Sequence, residues 1–243
     1  RAGGIVEGRV TVSLAIMQPY FLPYIGYFQL IAAVNEFVIY DNIKYTKKGW
    51  INRNRFLLNG KDAFFTLPLL KASDDLDVVE RELATAFNRK KLLNQLRGAY
   101  AKAPQFDEVF PLLERVVEYP DDNLFRYIHH SVTELCAFIG IKTPIVVSST
   151  VDIDHSLKAQ DKVLALCKAR GAGTYINPIG GTELYDRDVF AANGIDLKFH
   201  RARPFEYSQF QNEFVPWLSV VDVLMFNPLD GVQDVVFNNF ELV

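Results

Sequence analysis

The sequence predicts an α/β fold with a Rossmann-like, mostly parallel sheet of about five strands, a β-hairpin and a helical insertion. Three observations support this prediction. Short apolar, β-branched runs alternate with helical patterns near both ends of the chain, an Asn59-Gly60 dipeptide joins two alternating runs, and long helical patterns fill the middle. We therefore expect one α/β domain over residues 10–243, with residues 85–140 as the insertion.

The first elements predict a βαβ unit. Residues 10–17 are mostly apolar and indicate a buried strand, residues 24–34 have the apolar spacing of a helix, and residues 37–40 indicate a second strand. Two strands joined by a helix are parallel, with a right-handed crossover. Residues 1–9 have no initiator methionine and no signal-peptide pattern, so we expect them to be an expression remnant.

A hairpin and three helices are predicted next. Residues 53–58 and 62–67 flank Asn59-Gly60, which supplies the positive φ angles that a tight hairpin turn needs. Helical patterns follow near residues 85–101, 105–119 and 122–138, and Gly140 is expected to end the third.

The alternation of strands and helices then returns. The predicted strands are residues 144–148, 174–177 and 195–199, and the predicted helices are residues 156–170, 186–192 and 217–226. The last of these helices is expected to close the chain.

The composition disfavours several classes of protein. The chain has 49% hydrophobic and 23% charged residues and a net charge of -3, which is typical of a globular domain and disfavours nucleic acid as a partner. Its two cysteines, Cys136 and Cys167, fall in separate helices and are expected to be free thiols in a cytoplasmic protein. Gln18, Pro19 and Pro23 interrupt the longest apolar run, so no membrane span is expected.

Familiar catalytic signatures are missing from the sequence. It contains no serine-hydrolase elbow, no P-loop and no dinucleotide-binding glycine fingerprint. His129 and His130 are adjacent in a predicted helix and cannot share one face, so no metal site is expected.

The junction after the first strand is the first candidate ligand site, because ligands of open α/β sheets bind at the carboxyl ends of strands. The Gln18 amide can donate and accept hydrogen bonds, and Pro19 stiffens the same loop. Tyr20, Tyr24 and Tyr27 offer stacking surfaces for a sugar or base, although packing in the core is the simpler interpretation for Tyr27.

The basic segment after the second strand is the other main candidate. Asp41 ends that strand and is a candidate catalytic base. Lysine and arginine can hold a diphosphate, with the arginine fork giving bidentate geometry, whereas a solvated basic loop is the alternative. In the hairpin strand, alternate residues share a face. Arg53 and Arg55 are therefore expected to lie on one face, and Asn52 and Asn54 on the other. The proposed ligand-binding residues of this segment are Lys48, Trp50, Asn52, Arg53, Asn54 and Arg55.

Later strand exits add further candidates. Ser149 is a candidate phosphate contact, although a helix cap is the simpler interpretation. His200 closes a strand and is the best histidine candidate for a general base. The remaining candidates for substrate binding are Asn177, Gly180, Gly181 and Tyr185.

These same segments resemble the WbqC-like family of bacterial O-antigen and surface-polysaccharide gene clusters. The resemblance is carried by Gln18-Pro19-Tyr20-Phe21-Leu22-Pro23-Tyr24-Ile25-Gly26-Tyr27-Phe28, Tyr40-Asp41, Lys48 and Trp50-Ile51-Asn52-Arg53-Asn54-Arg55. Later matches are Ser148-Ser149, Tyr175-Ile176-Asn177, Gly180-Gly181, Leu184-Tyr185 and Ser219-Val220-Val221-Asp222-Val223-Leu224. The resemblance implies a role in lipopolysaccharide biosynthesis and a small-molecule substrate.

Tyr24-Ile25-Gly26-Tyr27 is also similar to the His-x-Gly-His signature of the nucleotidylyl-transferase and class I synthetase superfamily, with tyrosine at both histidine positions. That similarity implies ATP as a cofactor, bound by its phosphates at Gly26 and the helix start. A phenol can hydrogen-bond a phosphate, but it carries no positive charge near neutral pH.

Together these features lead to a functional hypothesis. We expect a cytoplasmic transferase that acts on a nucleotide-linked amino sugar and transfers an acyl or aminoacyl group to the sugar amine from an acyl donor or carrier. Two alternatives remain open: a glycosyltransferase that uses a sugar-nucleotide donor, and a non-catalytic sugar-nucleotide-binding protein.

Overall fold

A computed structural model describes residues 5–6 and 9–243 of the chain, and the side chains from residue 11 onward. Its strands are β1 (Ile5–Val6), β2 (Arg9–Val10), β3 (Val12–Met17), β4 (Glu36–Ile39), β5 (Arg53–Leu58), β6 (Lys61–Thr66), β7 (Ile145–Val147), β8 (Ala172–Pro178), β9 (Asp196–Ala202) and β10 (Phe240–Leu242). Its α-helices are α1 (Ile25–Ala33), α2 (Arg89–Tyr100), α3 (Phe106–Val117), α4 (Leu124–Ile139), α5 (Ala159–Ala169), α6 (Arg187–Ala192), α7 (Val220–Phe226) and α8 (Leu229–Asn238). The expected remnant, residues 1–9, falls mostly outside the described residues.

A six-stranded sheet forms the centre of the fold, in the order β10-β9-β8-β3-β4-β7. Strands β9, β8, β3, β4 and β7 are parallel, and β10 alone runs antiparallel, as the edge strand beside β9. The predicted α/β class, the mostly parallel sheet and the separate hairpin are confirmed.

The strand order reverses at β3. The chain moves from β3 to β4 and later to β7 on one side, and then returns to build β8 and β9 on the other. The carboxyl ends of β3 and β8 therefore flank a topological switch point, which is the usual ligand crevice of an open α/β sheet. Since all five parallel strands end at the same edge, the loops that follow them share that edge.

Both faces of the sheet are covered, which explains why β3 reads as a continuous apolar run. On one face, α1, α7, α8 and the three central helices contribute to the larger core, in which Phe28, Leu30 and Ile31 of α1 are buried. On the other face, α5 and α6 cover a smaller core that includes Leu14 and Tyr175.

The predicted turn and helix end are confirmed. Asn59 and Gly60 both have positive φ angles, 52° and 75°, and Leu58 pairs directly with Lys61. This is the two-residue turn whose twist suits an antiparallel hairpin. Gly140 ends α4 with a φ of 90°, a left-handed conformation that glycine adopts without steric cost.

A buried tyrosine joins the central helices to the rest of the molecule. The hydroxyl of Tyr100, at the end of α2, accepts a hydrogen bond from the backbone N–H of Leu57 in the hairpin at 2.9 Å. It donates to Oδ1 of Asp222 in α7 at 2.8 Å. One phenol thus joins α2 to both the hairpin and the carboxyl-terminal helix α7.

The carboxyl-terminal part differs from the prediction. The helix expected at residues 217–226 begins at Val220, because the Ser219 side chain caps it by accepting a hydrogen bond from Val221 N–H. Two elements, α8 and β10, follow where none was expected. Pro228 separates α7 from α8 by standing at the N-cap of the second helix.

Two further expectations concern the chain as a whole. Cys136 and Cys167 are free and buried, and burial raises the pKa of each thiol to about 12. Within the described part of the chain, no helix combines the length and apolar character that crossing a membrane requires.

Candidate functional site

Three segments that are far apart in the sequence form one pocket, which we call the aromatic pocket. Its volume is about 260 Å³. It is lined by Tyr20, Pro23, Tyr24, Trp50, Asn54, Arg55 and Trp217. Five of these seven residues are predicted ligand contacts, and they come from both main candidate segments of the sequence.

Direct hydrogen bonds hold the three segments together. Phe21 N–H donates to the Ile51 carbonyl at 2.9 Å, which joins the loop after β3 to the segment before β5. Ser219 joins both of them to the start of α7. Its N–H donates to the Arg55 carbonyl at 2.8 Å and its Oγ donates to the Leu22 carbonyl at 2.7 Å.

Aromatic rings form the walls of the pocket. The Tyr24 and Trp217 rings meet edge to face with centroids 6.2 Å apart. Trp50 stacks on Phe64 of the hairpin at 6.1 Å. Trp217 is 65% exposed and has a φ of 60°, which is a strained conformation for a residue with a bulky side chain. The exposed ring is thus available to a ligand.

Arg55 supplies the positive charge of the pocket. One of its terminal nitrogens donates to the Trp217 carbonyl at 3.0 Å, and the other approaches Asp62 at 3.4 Å. Its Nε is buried and has no partner among the described residues. The guanidinium also lies 5.6 Å from the centre of the Trp50 ring. An anion in the pocket would meet a cation whose hydrogen-bonding capacity is only partly used.

The other arginine and the two asparagines of this segment are positioned differently. Arg53 donates to the backbone carbonyls of Gly49 and Lys48, at 3.0 and 2.7 Å, and so holds the turn before Trp50. Asn52 is buried and donates to the Leu67 carbonyl at 2.8 Å. Asn54 is also buried, and it reaches the pocket directly. Of these three residues, only Asn54 lines the pocket.

The lysines of the basic loop lie on the surface. Lys44 pairs with Asp75 and Lys47 with Asp74, each at 2.8 Å, as the solvated-loop alternative predicted. Lys48 is exposed, and no ion pair involves it in the described part of the chain. Exposed pairs of this kind contribute little to stability.

Tyr24 occupies the space beside Gly26. A Cβ atom at Gly26 would collide with the Tyr24 ring, so the glycine lets that ring pack against the start of α1. Tyr27 is fully buried, and its hydroxyl donates to the Gln18 carbonyl at 2.8 Å. Burial raises the pKa of Tyr27 well above its usual value. Gln18 and Pro19 stand at the end of β3, where the Gln18 side chain is half-buried.

Asp41 belongs to a separate polar cluster at the ends of β4 and β7. Its buried carboxylate accepts hydrogen bonds from Ser148 Oγ at 2.8 Å, from Ser149 N–H at 2.9 Å and from Ser149 Oγ at 2.5 Å. The predicted catalytic carboxylate and the predicted phosphate contact Ser149 therefore bind each other. Their hydrogen bonds join two neighbouring strand ends.

Lys162 completes this cluster and was not predicted. It is buried in α5, and its Nζ donates to the backbone and side-chain oxygens of Asn42, at 3.1 and 3.2 Å. Burial lowers the pKa of Lys162, against the opposing effect of the Asp77 and Asp41 carboxylates. The sequence did contain a signal for Lys162: in the helical pattern of α5, this lysine falls on the apolar face.

The candidates after β8 form a third group. Asn177 is buried, accepts a hydrogen bond from the Tyr175 hydroxyl at 3.1 Å and lies against Gly181, where any Cβ would collide with it. Gly180 is exposed. Tyr185 packs edge to face on Tyr175 at 5.5 Å. Because Gly181 has no side chain, Asn177 packs closely against it, and this packing occupies the space in which a ligand would approach the Gly181 backbone.

His200 is buried under the last strand. It is 2% exposed, pairs with Leu242 of β10 and packs on the Phe240 ring at 4.9 Å. Burial lowers its pKa to about 4, so the ring is neutral near pH 7. Its Nε2 has no partner among the described residues. His200 does not line the aromatic pocket, and neither does Asp41.

Comparison with known proteins decides the family. The sequence model of the WbqC-like protein family matches residues 18–234, which includes all three segments of the pocket. The chain belongs to the WbqC-like family. It is similar to a Mycobacterium tuberculosis (strain ATCC 25618 / H37Rv) protein described as "Uncharacterized protein Rv1507c", with 28% identity over 217 residues, 88% of this chain and 93% of that protein. No solved structure matches the chain.

The first resemblance seen in the sequence is thereby confirmed. The second one, to the nucleotidylyl-transferase superfamily, has no support from the comparisons. The aromatic pocket is the clearest site in this WbqC-like protein, and sequence reasoning missed Pro23, Trp217 and the connecting Ser219. The signal for Ser219 was its place in the Ser219-Val220-Val221-Asp222 match to the family. Trp217 was assigned only to the start of a helix.

We predict that Ser219→Ala destabilises the protein by about 2 kcal/mol, because it removes a helix cap and leaves the buried Leu22 carbonyl without its donor. Chemical denaturation measures the effect. Ser131→Ala is the matched control, since Ser131 is equally buried but its hydroxyl bonds only to Ile128 within its own helix. Equal losses in the two variants would contradict the connecting role of Ser219.

We predict that His200 makes the fold less stable at acid pH. The unfolded histidine takes up a proton below its usual pKa near 6.5, whereas the folded one stays neutral until about pH 4. The unfolded state therefore binds more protons in this window, and the free energy of unfolding falls by about 3 kcal/mol as the pH drops through it. Denaturation of the wild type, His200→Asn and His200→Phe at several pH values separates this effect from other groups. Parallel curves for all three proteins would refute it.

Proposed function

We propose that this WbqC-like protein is a transferase that acts on a nucleotide-linked amino sugar in bacterial O-antigen or lipopolysaccharide biosynthesis, and that it transfers an acyl or aminoacyl group to the sugar amine. The observation that carries the proposal is the aromatic pocket. It combines stacking surfaces with one incompletely paired arginine, a combination that suits a ligand with a flat base or sugar and a phosphate group.

In this proposal Arg55 holds the diphosphate. Its guanidinium has a buried Nε without a partner among the described residues and only a 3.4 Å approach to Asp62. The terminal nitrogen that only approaches Asp62 at 3.4 Å can instead donate to a phosphate oxygen in the pocket. The neighbouring Trp50 and Trp217 rings stack on the base or the sugar, and the Asn54 amide selects among its polar groups.

The chemical step is an amide formation. The sugar nitrogen attacks the carbonyl carbon of an activated acyl donor, so that a C–N bond forms. The bond from that carbon to the leaving group breaks, the leaving group keeps the electron pair, and the proton lost by the nitrogen passes to it or to water. The protein contributes mainly by positioning the two reactants, since a fixed geometry can replace much of the entropic barrier.

Neither of the predicted bases, Asp41 and His200, lines the aromatic pocket, so the proposal does not use them to remove the proton from the sugar nitrogen. The Asp41 carboxylate is used by Ser148 and Ser149, and His200 is buried beneath β10. In the proposal Asp41 therefore positions the strand ends. Proton removal falls to the leaving group.

A second candidate function is a non-catalytic protein that binds a sugar nucleotide. One observation favours it: among the described residues that line the aromatic pocket, none is an Asp, Glu or His. Such a protein would bind the sugar nucleotide and be stabilised by it without turnover.

We predict that the protein adds an acyl group to a dTDP-linked amino sugar. The purified protein is incubated with the sugar nucleotide and either a pre-activated acyl thioester or the free acid, including amino acids, with ATP. Mass spectrometry should show the gain of the acyl group on the intact sugar nucleotide. Loss of the sugar would instead indicate a glycosyltransferase. Thermal stabilisation by the sugar nucleotide without any mass gain across the panel would indicate the binding protein.

We predict that Arg55→Gln weakens binding of the sugar nucleotide at least about tenfold, because the phosphate loses its charged partner. Arg55→Lys should recover part of the affinity, since it restores the charge but not the fork. Arg115→Gln is the matched control, because that exposed arginine pairs with Glu134 on the helical insertion. Isothermal titration calorimetry gives the affinities, and an unchanged affinity for Arg55→Gln would exclude the aromatic pocket as the phosphate site.

A further inference from the structure

A second cavity lies behind the aromatic pocket, and Tyr24 and Trp217 line both of them. Its volume is about 180 Å³. Most of its lining is apolar or aromatic, and includes Ile25, Phe205, Phe214, Pro216, Leu218 and Val223. We call it the apolar cavity. The two cavities therefore adjoin at this pair of aromatic side chains.

Buried hydrogen bonds fix the outer wall of the apolar cavity. The Tyr207 hydroxyl donates to the Asp222 carboxylate at 2.7 Å, and the Tyr207 ring packs on Phe205 at 5.2 Å and on Phe214 at 5.1 Å. Gln209 donates to the same carboxylate at 2.7 Å. Asp222 has no exposed surface. The irregular stretch between β9 and α7 is thus fixed to the core at the place where it encloses the cavity.

Size and lining together indicate the chemical class of the occupant. An enclosed apolar cavity of about 150 Å³ engineered in another protein binds benzene, and this cavity, which is open to the surface on one side, has room for a group of about six carbon atoms. Arg203 and Glu206 are the two charged residues among those that line the cavity. Both are exposed, so the interior offers apolar contacts to the occupant and leaves the charges at the surface.

We propose that the apolar cavity binds an apolar group of about six carbon atoms, a short acyl chain or a ring, next to the ligand of the aromatic pocket. This inference rests on the proposed function only in identifying that group as the acyl part of the donor. Because Tyr24 and Trp217 line both cavities, the acyl tail of the donor and the sugar nucleotide then occupy adjoining sites.

The test uses benzene as the ligand and the full-length protein, without any sugar nucleotide. Benzene is titrated in sealed samples while the methyl groups are followed by NMR. We expect saturable shifts at the methyl groups of Ile25, Leu218 and Val223, which line the cavity. Shifts that do not saturate, or saturable shifts confined to other methyl groups, would overturn the proposal.

Filling variants test the position of the site. Ala202 lines the apolar cavity but not the aromatic pocket, so Ala202→Leu and Ala202→Met add bulk to this cavity alone. We expect each folded variant to bind benzene at least about tenfold more weakly than the wild type. Trp50→Ala is the control, because Trp50 lines only the aromatic pocket. It should keep benzene binding.

Unchanged benzene affinity in a folded filling variant would overturn the proposal. If both variants fail to fold, the methyl shifts of the wild type decide the question. If the protein binds benzene as expected but binds no sugar nucleotide, the transferase function is refuted and the assignment of the apolar cavity stands.

Discussion

The hydrogen bonds of Ser219 are the constraint on which the candidate site depends. This fully buried residue binds the Leu22 carbonyl across 197 positions of sequence and the Arg55 carbonyl from another part of the chain. It also caps the helix that carries Asp222. Because one side chain and its backbone join three segments, the relative positions of Tyr24, Arg55 and Trp217 follow from bonds inside the core rather than from the surface loops.

The parallel sheet places polar loops at one edge, but the protein uses most of that edge for structure. Asp41 binds the two serines after β7, and Lys162 binds the loop after β4, so two strand ends and α5 are locked together. Burial of a charged group is costly unless the group is hydrogen-bonded, and both of these groups are hydrogen-bonded to neutral partners. The open pocket lies further out, where the loop after β3 meets the hairpin segment. The strand ends at the switch point therefore hold the surrounding structure in place, but the aromatic pocket itself does not lie between them.

Local signals in the sequence predicted local structure well. Asn59-Gly60 specified the hairpin turn, because positive φ angles are a property of those two residues. Trp217 could not be found this way, since its partner Arg55 is 162 positions away and the stretch before α7 has no periodicity. His200 illustrates the opposite error of inference. The sequence suggests an accessible residue at a strand end, yet β9 continues to Ala202, and His200 pairs with β10, a short strand that the pattern did not reveal.

Two residues in the segments that form the aromatic pocket have strained backbone conformations, and Arg55 is the cation among the described residues that line it. Leu22 and Trp217 have φ angles of 45° and 60°, and each such residue costs on the order of 1–3 kcal/mol. The carbonyls of these two residues accept hydrogen bonds from Ser219 and Arg55, which offset that cost. Since Trp217 also lines the apolar cavity, the hydrogen bond from Arg55 to its carbonyl links Arg55 to a residue that both cavities share.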